Sequence, residues 1–122
     1  MTDFERGEVL LVRFPDSNLR TFKLRPALLV QSQVVPTGLD QQIVAMITSN
    51  VQRVGPSRVF IGQGTPEGRS MGLLTDSVIV ADNLTTVAGF AISSALGKCP
   101  VMPKVDSALR AILELQQPAA GS

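Results

Sequence analysis

Arg25 stands immediately before Pro26, at the mouth of an apolar run, and Arg20 and Lys23 lie just upstream. Pro26 forces an extended backbone on Arg25, because its ring disfavours helix at the preceding residue. Three cations therefore enter one strand from one loop. A guanidinium offers a planar fork of donors suited to phosphate or carboxylate, although a solvated hairpin loop would carry the same residues. A second set, Thr48, Ser49 and Asn50, closes another apolar run, and Asp82-Asn83 sits where a further one ends. Such ends are a usual place for functional side chains, and an Asx pair there serves equally well as a turn.

What is missing narrows the chemistry. The 122 residues include no His, no Trp, no Tyr and a single Cys. Ser-His-Asp and Cys-His catalysis, a His-based zinc site and an imidazole acid/base pair are all excluded. One thiol makes neither an intramolecular disulfide nor a thiolate cluster, which suits a reducing cytoplasm. The carboxylates are scattered without paired or calcium-loop spacing, so no metal and no cofactor is expected. The glycine-rich segment 62–72, GQGTPEGRSMG, lacks both the dinucleotide spacing and the Gly-Lys-Ser/Thr ending of a phosphate loop, and it reads as a mobile surface loop.

Eleven Lys and Arg against 10 Asp and Glu leave a net charge of +1. Composition alone does not make this a basic nucleic-acid binder. Hydrophobic residues are 44% and charged residues 17%, below the roughly 25% charge of an average soluble chain. A small domain with so few charges is expected to bury part of its apolar surface between copies. The longest uncharged stretch, residues 83–97, is shorter than the ~20 apolar residues of a membrane span. The opening MTDFERGEVLL matches neither a signal nor a transit peptide, so a cytoplasmic protein without membrane contact is expected.

The elements that must position these residues are mostly short strands. Runs rich in Val, Ile and Leu, bounded by turn residues, predict strands at 8–14, 26–34, 42–48, 58–61, 73–81 and 91–97. The third is apolar on both faces, as a central strand would be. One helix is predicted over about 101–116, with Val105, Leu109, Ile112 and Leu113 on its apolar face. The third strand and this helix are the candidate interface segments. The pattern predicts one mainly β domain over residues 1–117, a small barrel-like sheet with a C-terminal α-helix, and a flexible tail at 118–122.

Ordered along the chain, these features resemble the PemK/MazF-type toxins of bacterial toxin–antitoxin systems. Gly7-Glu8-Val9 matches the family's opening strand, Lys23-Leu24-Arg25-Pro26-Ala27 its second element and Ile47-Thr48-Ser49 its third. Gly72-Leu73, Asp76 to Val80, Asp82 to Val87 and Leu96-Gly97-Lys98 continue the likeness over almost the entire chain. The resemblance implies the SH3-like barrel fold shared by the CcdB, MazF and PemK toxins. It also implies a homodimer that cleaves single-stranded RNA at short motifs without a metal, held in check by a cognate antitoxin. The implied products are a 2′,3′-cyclic phosphate and a 5′-hydroxyl.

Carried over residue by residue, Arg25 and Thr48 become the catalytic pair, with Asp82 as base or as the carboxylate that orients Arg25. Attack of a 2′-hydroxyl on the adjacent phosphate concentrates charge on the non-bridging oxygens, which a guanidinium meets with its fork of donors. Arg20, Lys23, Ser49, Asn50 and Arg53 are the implied RNA contacts, and Phe22 is the aromatic available for base stacking. Where some relatives carry an Arg two positions before the acid, this chain has Val80. Two other readings share the fold: an inactive binding or dimerisation module, and a gyrase-poisoning toxin of the CcdB type.

Overall fold

The computed structural model describes residues 4–116, so the expected tail at 118–122 lies outside the described residues. They form a six-stranded antiparallel sheet and two α-helices. The strands are β1 (Glu8–Pro15), β2 (Phe22–Leu29), β3 (Gln41–Thr48), β4 (Arg58–Ile61), β5 (Ser77–Ala88) and β6 (Ile92–Lys98). Helix α1 (Pro66–Met71) joins β4 to β5, and α2 (Met102–Leu113) follows β6. The sheet order is β4-β5-β3-β2-β1-β6. The mainly β architecture with a C-terminal helix is as expected.

Two apolar clusters hold the sheet from opposite faces. Alternation along β1 sends Val9 to one and Leu10 and Val12 to the other. On one face Val9, Leu28, Ala45, Ile47 and Ile79 pack under Val105 and Ala108 of α2. On the other, Leu10, Val12, Ala27, Leu29, Val44 and Val87 are joined by Phe14 and Ile92. Strand β3 lies mid-sheet between β5 and β2 and is apolar on both sides because an apolar cluster packs on each of its faces.

Several elements differ from their expected limits. Strand β2 starts earlier, because Phe14–Lys23 and Pro15–Phe22 pair across the first hairpin. It also ends earlier, where the Ser32 hydroxyl accepts from the amides of Val34 and Val35 and turns the chain. The segment 62–72 holds a helix rather than a bare loop. Thr65 caps it by accepting from the Gly68 amide at 3.1 Å, Pro66 fits its first turn, and Gly72 leaves it at φ 71°. Gly97 lets β6 lie against this helix, since a Cβ there would collide with the Ser70 carbonyl. Helix α2 ends at Glu114, with φ 56°. Ile112 and Leu113 are 45% and 50% exposed, so the buried face of the helix is Val105 and Ala108 rather than its last turn.

Strand β5 runs from Ser77 past Asp82-Asn83, so that pair lies inside the strand and not at its end. Leu84 faces Ala45, but the next rung joins Val80 to Met46, leaving residues 81–83 without partners on β3. This bulge bends the strand and re-aims its side chains. Its acid is tied to β4. Asp82 accepts from Arg58 at 2.9 Å and from the Ser57 hydroxyl at 3.2 Å. Burial pushes the Asp82 carboxyl up, but its own backbone amide, the Arg58 charge and the Ser57 and Arg58 hydrogen bonds together hold it below the usual carboxylate value.

Two outcomes follow. Gly97→Ala should lower stability by roughly 1–3 kcal/mol, as overpacking does, read from the denaturant midpoint; an unchanged midpoint would mean that α1 yields freely. Asp82→Asn should lower the melting temperature at neutral pH. Because the folded carboxyl titrates below the unfolded one, its contribution is complete above the unfolded value of about 3.9 and fades as the pH falls through the folded value. The gap between mutant and wild type should therefore narrow in acid, and a gap constant with pH would deny the ion pair any part.

Candidate active site

Strands β2 and β3 pair through only Ala27–Met46, Leu28–Ala45 and Leu29–Val44. Beyond that, β2 continues back through Pro26, Arg25 and Leu24, still paired with β1, while β3 continues forward through Ile47 and Thr48, still paired with β5. Pro26 has no N–H for a ladder, and the two strands part at this point. The opening is a groove of about 690 Å³. Leu11, Pro26, Met46, Leu73, Val80 and Leu96 supply its apolar lining, and Arg25, Thr48, Ser49, Arg53 and Asn83 its principal polar side chains.

The register sets the geometry of the two walls. Ala27 opposes Met46, and two residues beyond this last rung Arg25 and Thr48 stand on the two walls of the groove. The partners Ala27 and Met46 share a face of the sheet, and alternation along each strand returns Arg25 and Thr48 to that same face. The Thr48 hydroxyl accepts from the Asn50 amide at 3.1 Å. With a lone pair held in this way, its O–H remains available to donate to a ligand. Arg25 is exposed and, among the described residues, its guanidinium has no ion pair and no hydrogen-bond partner. The same is true of the guanidinium of Arg53, whose backbone amide donates to the Asn50 carbonyl. Two uncompensated cations thus border a groove whose lining contains no Asp, Glu, His or Cys.

The remaining expected residues are distributed unevenly. Ser49 lies on the groove beside Thr48. Asn50 is not in the lining; it orients Thr48 and accepts from the Gln52 amide through Oδ1. Asp82 is also outside the lining. The β5 bulge gives its carboxylate to Arg58 and Ser57, so it does not orient Arg25, and the neighbouring Asn83 enters the groove instead. Arg20, Phe22 and Lys23 lie on the outer arm of the first hairpin. There Phe22 is 55% exposed, with the Arg13 guanidinium 5.0 Å above its ring. Asn83, Leu73 and Leu96 are groove residues that were not among the expected site residues, although each lies in a segment that carries the family likeness. Asn83 was also half of the Asp82-Asn83 pair, read there as a functional or turn-forming pair.

Among the described residues there is no cluster of three or more His, Cys, Asp or Glu that could hold a metal ion, and no helix is long and apolar enough to cross a membrane. No curated protein sequence matches the chain significantly. Solved structures do. An endoribonuclease from a mycobacterial species is 25% identical with a TM-score of 0.70, over 97% of this chain and 98% of its own. A mycobacterial endoribonuclease in complex with its cognate antitoxin is 25% identical with a TM-score of 0.69, over 94% and 99%. The Deinococcus radiodurans MazE-MazF structure, at 17% identity, shares the fold with a TM-score of 0.71, over 95% and 100%. The family model for the PemK-like, MazF-like toxin of type II toxin-antitoxin systems matches residues 5–113. With the match running from before β1 to the end of α2, the chain belongs to the PemK-like, MazF-like toxin family.

Proposed function

We propose that the protein is an endoribonuclease toxin of the cytoplasm that cleaves single-stranded RNA in the groove between β2 and β3 and is neutralised by a cognate antitoxin. The observation that carries this reading is that the unpaired Arg25 guanidinium and a Thr48 hydroxyl free to donate line the same groove. The mycobacterial relative bound to its cognate antitoxin supports the partner. A single buried Cys99, whose thiol burial pushes up in pKa, fits a reducing compartment.

The chemistry follows from the donors. The ribose 2′-oxygen attacks the adjacent phosphorus, the 2′-O–P bond forms, and the bond from phosphorus to the 5′-oxygen breaks. The products are a 2′,3′-cyclic phosphate and a 5′-hydroxyl. Charge grows on the non-bridging oxygens as the pentacovalent state forms. Arg25 meets it with paired N–H donors and Thr48, whose hydroxyl is held by the Asn50 amide, with its O–H. As the departing 5′-oxygen gains charge, an Arg25 N–H can donate to it and pass it a proton, which Arg25 regains from water. Proton removal from the 2′-hydroxyl falls to solvent or to a group outside the groove lining, since that lining offers no carboxylate. Arg53, Ser49 and Asn83 contact the strand on either side, and the hairpin arm bearing Arg20, Phe22 and Lys23 extends that path. A metal has no role in this scheme, in keeping with donors that are all cationic or neutral.

Incubation of the purified protein with long single-stranded RNA in EDTA tests the reading. Wild type should cleave. Arg25→Ala should lose roughly 10²–10³-fold in rate, the range for removing one key electrostatic donor. Thr48→Val should lose less, roughly tenfold, as befits a single neutral hydrogen bond of about 1 kcal/mol. Intact RNA with wild type at micromolar protein, or equal cleavage by Arg25→Ala, would favour the inactive binding module.

A further inference from the structure

Strand β4 ends the sheet beside β5, and its side chains alternate between the two faces. Val59 and Ile61 enter the apolar cluster beneath α2. Phe60 points to the other face and is 58% exposed. The ladder carries that face to the active site. Phe60 pairs with Val78 of β5, and Val78 pairs with Thr48 of β3. Antiparallel partners share a face of the sheet, so Phe60, Val78 and Thr48 form one row across three strands. Adjacent strands lie roughly 4.8 Å apart, which puts Phe60 about 10 Å from Thr48 across the sheet. Val78 is buried between them. Two residues along on the same face, Val80 and Met46 pair with each other and line the groove.

Three aromatic side chains among the described residues are more than half exposed, those of Phe22, Phe60 and Phe90. The Arg13 guanidinium already lies over the Phe22 ring. Phe90 follows the far end of β5, where Ala88 faces Gln41 at the start of β3. Among the described residues, Phe60 has neither a cation nor a second ring against it. Gly62, where a Cβ would stand 3.7 Å from the ring, sets no side chain beside it. Strand addition does not explain an aromatic at this edge, because β4 is only four residues long and carries Arg58, features that blunt an edge.

We infer that the Phe60 ring is the platform on which a base next to the scissile phosphate stacks, so that the RNA path leaves the groove across β5 and reaches β4. The inference rests on the RNA-cleaving reading of the groove. A strand whose phosphate lies between Arg25 and Thr48 finds no aromatic side chain in the groove lining itself. Phe60 is the ring in register with Thr48, and the unpaired Arg53 borders the groove on the connection from β3 to β4. Every base has a π-face, so an aromatic ring beside a cation holds a strand without reading its sequence. Phe60 therefore sets affinity and position. Its contact is the same before and during reaction, so it acts on KM and not on kcat.

Binding to a single-stranded RNA of mixed sequence tests this, with every 2′-hydroxyl methylated so that nothing is cleaved. Phe60→Ala should stay folded by circular dichroism, because the side chain is exposed. Its Kd should rise roughly tenfold or more, the range for one base–aromatic stack. In cleavage of long RNA the loss should fall on KM. Phe60→Trp should bind as wild type does. The chain has no Trp or Tyr of its own, so the new indole is the only tryptophan signal, and stacking should quench it when RNA binds. Phe90→Trp, at the far end of β3, should bind RNA unchanged and stay unquenched. Wild-type affinity in Phe60→Ala, as when the ring covers a protein partner instead of a base, would overturn the inference. So would an indole at position 60 that bound RNA leaves unquenched. Quenching without cleavage would contradict the nuclease reading alone, cleavage without quenching the stacking alone, and a wild type that binds no RNA both.

Discussion

The β2–β3 ladder ends at the Ala27–Met46 rung, where Pro26, the next residue of β2 outward, has no N–H to continue it. Both strands keep their other partners, β1 for β2 and β5 for β3, so the sheet stays intact on either side while it opens along this one line. Where the ladder stops, Arg25 and Thr48 are left on the two walls of the gap. Had the ladder run two rungs further, these side chains would face each other across a closed sheet, without room between them for a phosphate. The core that holds the parted strands rigid is the pair of apolar clusters on either face. The site thus depends on a backbone donor that is missing as much as on side chains that are present.

The β5 bulge is the second device, and it divides two neighbouring polar residues between different tasks. Asp82 joins Arg58 in an ion pair that ties β5 to β4, whereas Asn83 enters the groove. The electrostatic result matters more than the contact. A carboxylate turned into the groove would neutralise Arg25 and repel an approaching phosphate, and pairing it with Arg58 keeps the groove free of it. A net charge of only +1 is therefore compatible with an anion site. Arg6, Arg58 and Lys98 are engaged with carboxylates elsewhere on the molecule, while Arg25 and Arg53 are left uncompensated at the groove.

Much of the frame was legible in the sequence. β1, β3 and β4 are runs of β-branched and aliphatic residues between turn formers, and their limits follow from local pattern. Arg25 and Thr48 were legible because each stands at the end of such a run. The shifts in β2 and β5 came from non-local pairing: Phe22 and Lys23 are polar-flanked yet extended because Pro15 and Phe14 lie beside them. Helix α1 has no apolar period to detect, since it rests on a Thr65 cap and on glycines that permit close approach. The exchange of Asp82 for Asn83 at the groove was not legible at all. It depends on a slip in register against β3, and only the partner strand reveals which of two adjacent side chains turns inward.

The central claim is that the scissile phosphate sits in the gap left by the β2–β3 ladder, between Arg25 and Thr48. A structure of the protein with a short RNA carrying a single 2′-deoxy nucleotide at the cleavage position tests it most directly, because the missing hydroxyl halts the reaction with the strand in place. The account predicts a phosphate within hydrogen-bond distance of both the Arg25 guanidinium and the Thr48 hydroxyl, with the chain lying past Asn83 and Arg53. A strand bound elsewhere, with the groove between β2 and β3 left empty, would contradict it.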